Sequence, residues 1–146
     1  MNFINLDIVL MNDRAKVPTR ELGSNGYDLY YAGEDSVHFN YPGCKHVLKT
    51  GIKIKLPEGY AGFIWDRSGM GAKYGIHRLA GVIDDGYVGE WLVALVSTAE
   101  DHTHTVHPGD RIAQFVVQPV PTLNFHIVDK LEETKRGENK FGASGF

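Results

Sequence analysis

Two adjacent carboxylates and a tyrosine crowd the stretch Gly81-Val-Ile-Asp-Asp-Gly-Tyr-Val-Gly-Glu90, which lies between apolar runs. A carboxylate at a loop tip can act as a general base. Exposed backbone N–H and C=O groups there can pair with a flat, uncharged ring, and a tyrosine can close one side. Asp84 is the candidate base, whereas Asp85, as the first turn residue, has the stronger structural explanation. Three further patches have the chemistry of an anion site. Arg67-Ser68-Gly69 opens a short helical stretch, so a cation, a hydroxyl and helix-end N–H groups meet. Gly109-Asp-Arg-Ile-Ala-Gln114 brings Arg111 and Gln114 to the start of a strand. Near the C-terminus, Arg136, Lys140, Phe141 and three glycines combine cations, N–H donors and an aromatic, a set that can wrap a phosphorylated ligand. Each patch alone also reads as plain structure: an ordinary hairpin, a capped turn, a surface ion pair, a solvated tail.

The elements that must position these groups are mostly strands. Val82 and Ile83 are β-branched, Asp85-Gly86 is a hairpin signal, and Trp91 to Val96 resumes an apolar strand. This predicts a hairpin with Asp84 at its tip and Tyr87 facing it, Gly86 supplying a positive φ. Gly51 to Leu56 alternates strictly and turns at Pro57-Glu-Gly59 into Tyr60 to Trp65, a second predicted hairpin with one buried face. Asp110 to Val120 holds another strand, ended by Pro119 and Pro121. Only Ser68 to Tyr74 suits a helix, with Ser68 as its N-cap.

From Lys130 the chain turns polar and glycine-rich without an apolar period, so residues 1–129 form the β domain and 130–146 a flexible tail. Seventeen glycines and six prolines punctuating short β-branched and aromatic runs point to an all-β sandwich or barrel. At 146 residues one domain buries roughly 68–70% of its unfolded surface, so no staple is needed. Cys44 is the only cysteine, which rules out an internal disulfide or thiolate zinc cluster and fits a reducing, cytoplasmic setting. No apolar run approaches the roughly 20 residues that cross a bilayer, so no membrane association is expected. A net charge of −3 with scattered cations leaves no footprint for a nucleic acid polymer. His102 and His104 alternate on one strand face, a spacing that can bind a metal, although exposed strand histidines are commoner.

The patches are collinear. Gly26-Tyr27-Asp28-Leu29, Arg67-Ser68-Gly69, Gly81-Val-Ile-Asp-Asp-Gly-Tyr87, Gly109 to Gln114, and Arg136-Gly137 with Phe141-Gly-Ala-Ser-Gly145 stand in the order and rough spacing of the five motifs of the trimeric dUTPases. The chain resembles that family from near its first strand to its last residues, with Thr50-Gly51-Ile52 agreeing between motifs. The resemblance implies a β-clip or jelly-roll-like subunit with one short helix, a homotrimer with three active sites shared between neighbours, and hydrolysis of dUTP to dUMP and pyrophosphate with Mg²⁺. Such a reaction lowers dUTP and supplies dUMP for dTTP synthesis. By the same resemblance Asp84 activates the attacking water, and Tyr87 packs under the deoxyribose. The backbone of residues 78 to 83, including Arg78, Gly81, Val82 and Ile83, pairs with uracil. Ser68 and Gln114 hold phosphate oxygens, with Arg67 and Gly69 beside them. Asp28 orders the water shell of the metal. Arg136 clamps the terminal phosphate from a third subunit's tail, and Phe141 lies over the uracil next to Gly142.

The chain departs from the family pattern at Arg78, where asparagine is usual, at Val88, where arginine is common, and at Asp66, where proline is frequent. Lys140 stands where glycine is usual, and Ala143-Ser144 replaces a common Ser-Thr pair. Two alternatives share the resemblance. In the related dCTP deaminases the essential glutamate aligns with Ala94, inside an apolar strand, which argues against deamination. A non-catalytic trimer that senses the nucleotide would lack a need for Asp84, Tyr87 and Arg136 together, yet a regulatory protein partner is compatible with all three. The expected location is the cytoplasm, or the host cytoplasm for a virus-encoded chain.

Overall fold

The computed structural model describes residues 3–101 and 103–138. β1 (Asp7–Leu10) leads to β2 (Tyr27–Tyr30), β3 (Val37–Phe39), β4 (Lys45–Lys49) and β5 (Ile52–Lys55). After β6 (Tyr60–Trp65) come α1 (Ser68–Tyr74), β7 (Ile76–Leu79), β8 (Val82–Ile83), β9 (Leu92–Ser97), β10 (His104–Val106) and β11 (Arg111–Pro119). The strands pair antiparallel in four small sheets: β1-β5, β3-β10, β4-β9-β7 and β2-β11-β6-β8. The all-β class, with one short helix among the described residues, is therefore as the sequence predicts.

Both expected hairpins are corrected. β5 pairs with β1, while β6 lies between β11 and β8 in another sheet, so the turn closed by Tyr60 N–H to Pro57 C=O hands the chain from one sheet to the next. β8 pairs only with β6, and β9 joins β4 and β7, so residues 84–91 cross between sheets as well. Alternation fixes which face of a strand is buried, and β5 does bury Ile52 and Ile54 on one face. It carries no information about the neighbour.

The inward residues of all four sheets meet in one core around Trp91, Phe39, Leu48, Leu95 and Phe115. The Trp91 and Phe115 rings stand edge to face at 5.0 Å. Losing a buried indole of this kind costs about 3–5 kcal/mol. Thr50, also buried, donates its hydroxyl to the Trp91 carbonyl at 2.5 Å and so ties the end of β4 to the start of β9. α1 carries one buried side chain, Met70, and ends at Gly75, left-handed at φ 61°. Its N-cap is Arg67 with no side-chain capping bond, which corrects the expectation of Ser68. Residues 120–138 form no strand and are exposed throughout. Among the described residues no helix is long and apolar enough to cross a membrane.

Candidate active site

β11 is the spine of one half of the site. It places Gln114 opposite Asp28 of β2 on one side and opposite Trp65, the last residue of β6, on the other. Arg67, two residues past the end of β6, returns to donate from Nε to Asp28 Oδ1 at 2.9 Å. Arg111 Nη1 approaches Asp28 Oδ2 at 3.5 Å and Glu21 Oε1 at 3.1 Å. One carboxylate, its side chain only 16% exposed, thus sits between two guanidinium groups. The Glu21 carboxylate, with Tyr30 and Asp28 behind it, holds the Arg111 guanidinium more firmly protonated than usual. Gln114 Nε2 donates to the Asp66 carbonyl at 2.8 Å, which fixes its amide. A Cβ added at Gly26 would collide with Gln114 Oε1, so glycine there leaves room for that amide. Together with Ser68 and Gly69 these residues line a cleft of about 240 Å³ whose polar groups are cations, hydroxyls and amides flanked by two acids. Such a lining suits a multiply charged anion.

The other half is the loop after β7. Ala80 is left-handed at φ 58° and Gly81 sits at φ 118°. The Ala80 conformation costs roughly 1–2 kcal/mol for a residue with a Cβ. Arg78 Nη1 donates to the Ala80 carbonyl at 2.5 Å, and the Arg78 guanidinium lies 4.8 Å over the Trp65 ring. A Cβ at Gly81 would lie 2.9 Å from the Ile64 carbonyl oxygen, close because Ile64 N–H donates to Gly81 C=O at 2.7 Å. Val82 and Ile83 then pair with Phe63 and Gly62. The turn follows where predicted, with Tyr87 N–H bonded to the Asp84 carbonyl at 3.1 Å. Gly86, however, is not at positive φ, because no hairpin strand returns from it.

The two aspartates differ. Asp85 Oδ2 accepts the Gly59 N–H at 2.7 Å, and the Asp85 carbonyl accepts Lys55 Nζ, so this residue fastens the loop to the β5–β6 turn. Asp84 is exposed, and its carboxylate makes no hydrogen bond or ion pair among the described residues. Tyr87 is 42% exposed and donates its hydroxyl to the Glu90 carbonyl at 2.7 Å, which holds the ring against Gly89.

The sequence from residue 13 to 145 matches the dUTPase family model. The chain belongs to the dUTPase family. It is 44% identical over 125 residues to the deoxyuridine 5'-triphosphate nucleotidohydrolase of Tropheryma whipplei strain Twist, covering 84% of either chain. Its fold is similar to that of the Staphylococcus bacteriophage 80alpha dUTPase with dUPNHPP, at a TM-score of 0.86 and 29% identity over 97% of this chain and 99% of that one. A point mutant of the dUTPase from phage phi11 of S. aureus, whose structure concerns the coordination of a structural Mg(II) ion, matches at a TM-score of 0.78 and 26% identity, covering 89% of this chain and 100% of that one.

Within this dUTPase subunit, Asp28, Arg67, Ser68, Gly69 and Gln114 converge in the cleft, whereas Asp84, Tyr87 and the Gly81–Ile83 backbone do not line it. Arg136 is exposed in the tail and does not line it either. Phe141 and Gly142 lie outside the described residues, as does His102. His104 stacks on Tyr74 at 4.4 Å, and burial pushes its imidazole below the usual range, with Asp110 opposing and His107 adding to the effect. Sequence reasoning reads the Arg111 patch on its own as a surface pair and misses Glu21 and Ser24, which line the cleft. The spacing between Glu21 and Arg111 offers no signal for their pairing, which follows from the bridge that lays Thr19 beside Asp28 and from the β2–β11 ladder. Asp66, a departure from the family pattern, bonds to residues of both β7 and β11.

Proposed function

We propose that this dUTPase hydrolyses dUTP to dUMP and pyrophosphate by water attack on the α-phosphate, at sites completed between subunits of a homotrimer. What supports this reading is the separation of two groups of residues, an anion-type cleft around Asp28, Arg67 and Arg111 and the loop from Arg78 to Tyr87, which does not line it. A ligand that needs both halves draws them from different copies of the chain. In the cleft, Arg67, Arg111 and Gln114 neutralise and orient phosphate oxygens, helped by the Ser68 hydroxyl and the Gly69 N–H. On the loop, the backbone from Arg78 to Ile83 pairs with uracil, and Tyr87 lies under the deoxyribose. Asp84, unengaged among the described residues, is the group available to take a proton from water.

The acids of the cleft, Asp28 and Glu21, are committed to arginines, and no three His, Cys, Asp or Glu side chains among the described residues converge on a metal position. That donor set fits Mg²⁺ carried by the triphosphate with its own waters, Asp28 acting through water, better than a protein cage. When bound, the ion would screen the charge on the phosphate oxygens. Arg136, Phe141 and Gly142 would reach a neighbouring site with the tail that follows residue 129. The run Leu123, Phe125 and Ile127 supports assembly, since these side chains alternate and are 67%, 84% and 103% exposed in the single subunit. A buried single cysteine and a nucleotide substrate support a cytoplasmic location.

Pyrophosphate and ammonia release from dUTP and dCTP test the reading. Pyrophosphate from dUTP without ammonia is expected, whereas ammonia would indicate a deaminase and neither product a binding protein. A molar mass in solution checks the assembly, because a stable monomer would leave each half-site without its complement.

A further inference from the structure

We infer that Glu21 determines how tightly the cleft holds an anion: its carboxylate competes with phosphate oxygens for Arg111 and so weakens the retention of inorganic pyrophosphate. The inference deepens the reading of the cleft as the phosphate side of the site and rests on it. The charged side chains that line the cleft are Glu21, Asp28, Arg67 and Arg111, two acids against two bases. Every acid beside a bound anion repels it, so each one calls for an explanation. Asp28 has one. Its side chain is 16% exposed and stands in the β2–β11 ladder opposite Gln114, with Arg67 at 2.9 Å and Arg111 at 3.5 Å, so it holds both guanidinium groups in place.

Glu21 is built differently. It precedes β2 on the segment that the bridge of Thr19 to Asp28 lays alongside, in a turn closed by Ser24 N–H to the Glu21 carbonyl at 3.0 Å. Its side chain is 75% exposed, and its carboxylate has one hydrogen bond among the described residues, from Arg111 Nη1 at 3.1 Å. An exposed pair of this kind is worth at most about fivefold in equilibrium. The contact is therefore strong enough to compete and weak enough to give way. A phosphate oxygen that takes Arg111 Nη1 displaces the carboxylate, which stays tethered next to the anion. The substrate offsets that repulsion with the contacts of its base and sugar, whereas pyrophosphate severed from them keeps only the cleft. Return of Glu21 to Arg111 then favours its departure.

The probe is inorganic pyrophosphate, titrated by calorimetry into the full chain and used as an inhibitor of dUMP formation from dUTP. Glu21→Gln keeps the length of the side chain and removes its charge. It should tighten pyrophosphate binding about three- to fivefold at low salt and lower KM for dUTP by a similar factor without raising kcat, as for binding gained equally in ground and transition states. In about 0.5 M salt the gain should fall, because exposed charges are screened. If Glu21 served only to hold Arg111 in place, the sign would reverse, with weaker pyrophosphate binding and a higher KM. A weakening, or a change smaller than about twofold at low salt, overturns the inference. Glu21→Ala removes the competing acceptor altogether and should also tighten pyrophosphate binding, so a loss of affinity there overturns it as well. A parent chain that binds no pyrophosphate sinks the assignment of the cleft itself, whereas one that binds it regardless of residue 21 sinks this inference alone.

Discussion

Exchanging the two neighbouring aspartates one at a time should separate chemistry from folding. Asp84 is exposed and without a partner among the described residues, so Asp84→Asn should change stability by no more than about 0.5 kcal/mol. In its proposed role of general base it would be worth about 10²- to 10⁴-fold in turnover. At 1.36 kcal/mol per decade that is about 2.7 to 5.4 kcal/mol of transition-state stabilisation. Asp85→Ala should do the reverse. It removes a charged acceptor 2.7 Å from the Gly59 N–H, a bond worth about 1.5–3 kcal/mol when shielded and about 1 kcal/mol at this half-buried position. The melting temperature should then fall by about 2–4 °C while turnover stays within about threefold. Pyrophosphate release at saturating dUTP reads the first effect, and thermal unfolding at one fixed protein concentration reads the second, since assembly makes the midpoint depend on concentration. An Asp84→Asn variant that turns over at the parent rate, or an Asp85→Ala variant that loses more turnover than Asp84→Asn, refutes the division of labour.

Three other outcomes are expected. Gly81→Ala places a Cβ 2.9 Å from the Ile64 carbonyl at φ 118°, so β8 should be pushed off β6, with a loss of about 1–3 kcal/mol and weaker binding of a non-hydrolysable dUTP analogue, measured by calorimetry. Arg67→Lys keeps the charge but lacks the planar fork that can bond Asp28 and still face a phosphate, so kcat/KM should fall about 10-fold or more in steady-state assays. Burial lowers the His104 pKa below its unfolded value of 6.5, so the unfolded chain takes up the proton first and stability drops as pH falls below about 6.5. His104→Phe, which keeps a ring against Tyr74, should flatten that dependence in denaturant titrations at pH 5 and 7.

Much of this architecture is legible in residue order, for identifiable reasons. Strict alternation from Gly51 to Leu56 and the β-branched pair Val82-Ile83 set faces and strand positions, and a helix does fall on Ser68–Tyr74, although its N-cap is Arg67 and not the expected Ser68. Partner choice is not legible. Pro57-Glu-Gly59 and Asp85-Gly86 carry ordinary turn chemistry, yet each passes the chain to a different sheet, because a turn specifies a reversal of direction and the core decides what lies alongside. The same gap hides the cleft. Asp28 and Arg111 are conspicuous singly, but Glu21 joins them only through the bridge of Thr19 to Asp28 beside a β2–β11 ladder with a bulge between Arg111 and Ala113. Asp66 stands out in the sequence only as a departure from a frequent proline, and its bond to the Arg78 N–H emerges only with the open edge of β7.

The lateral order β2-β11-β6-β8 has a kinetic consequence. β2 carries Asp28, and its ladder neighbour is β11, near the far end of the chain. β2 gains this ladder partner only after residues 111–115 have been made, and closing so long a loop is slow. The anion cleft therefore has no existence in any shorter nascent chain. An anion that binds this cleft would therefore stabilise chains folded through β11 and have no cleft to bind in shorter ones.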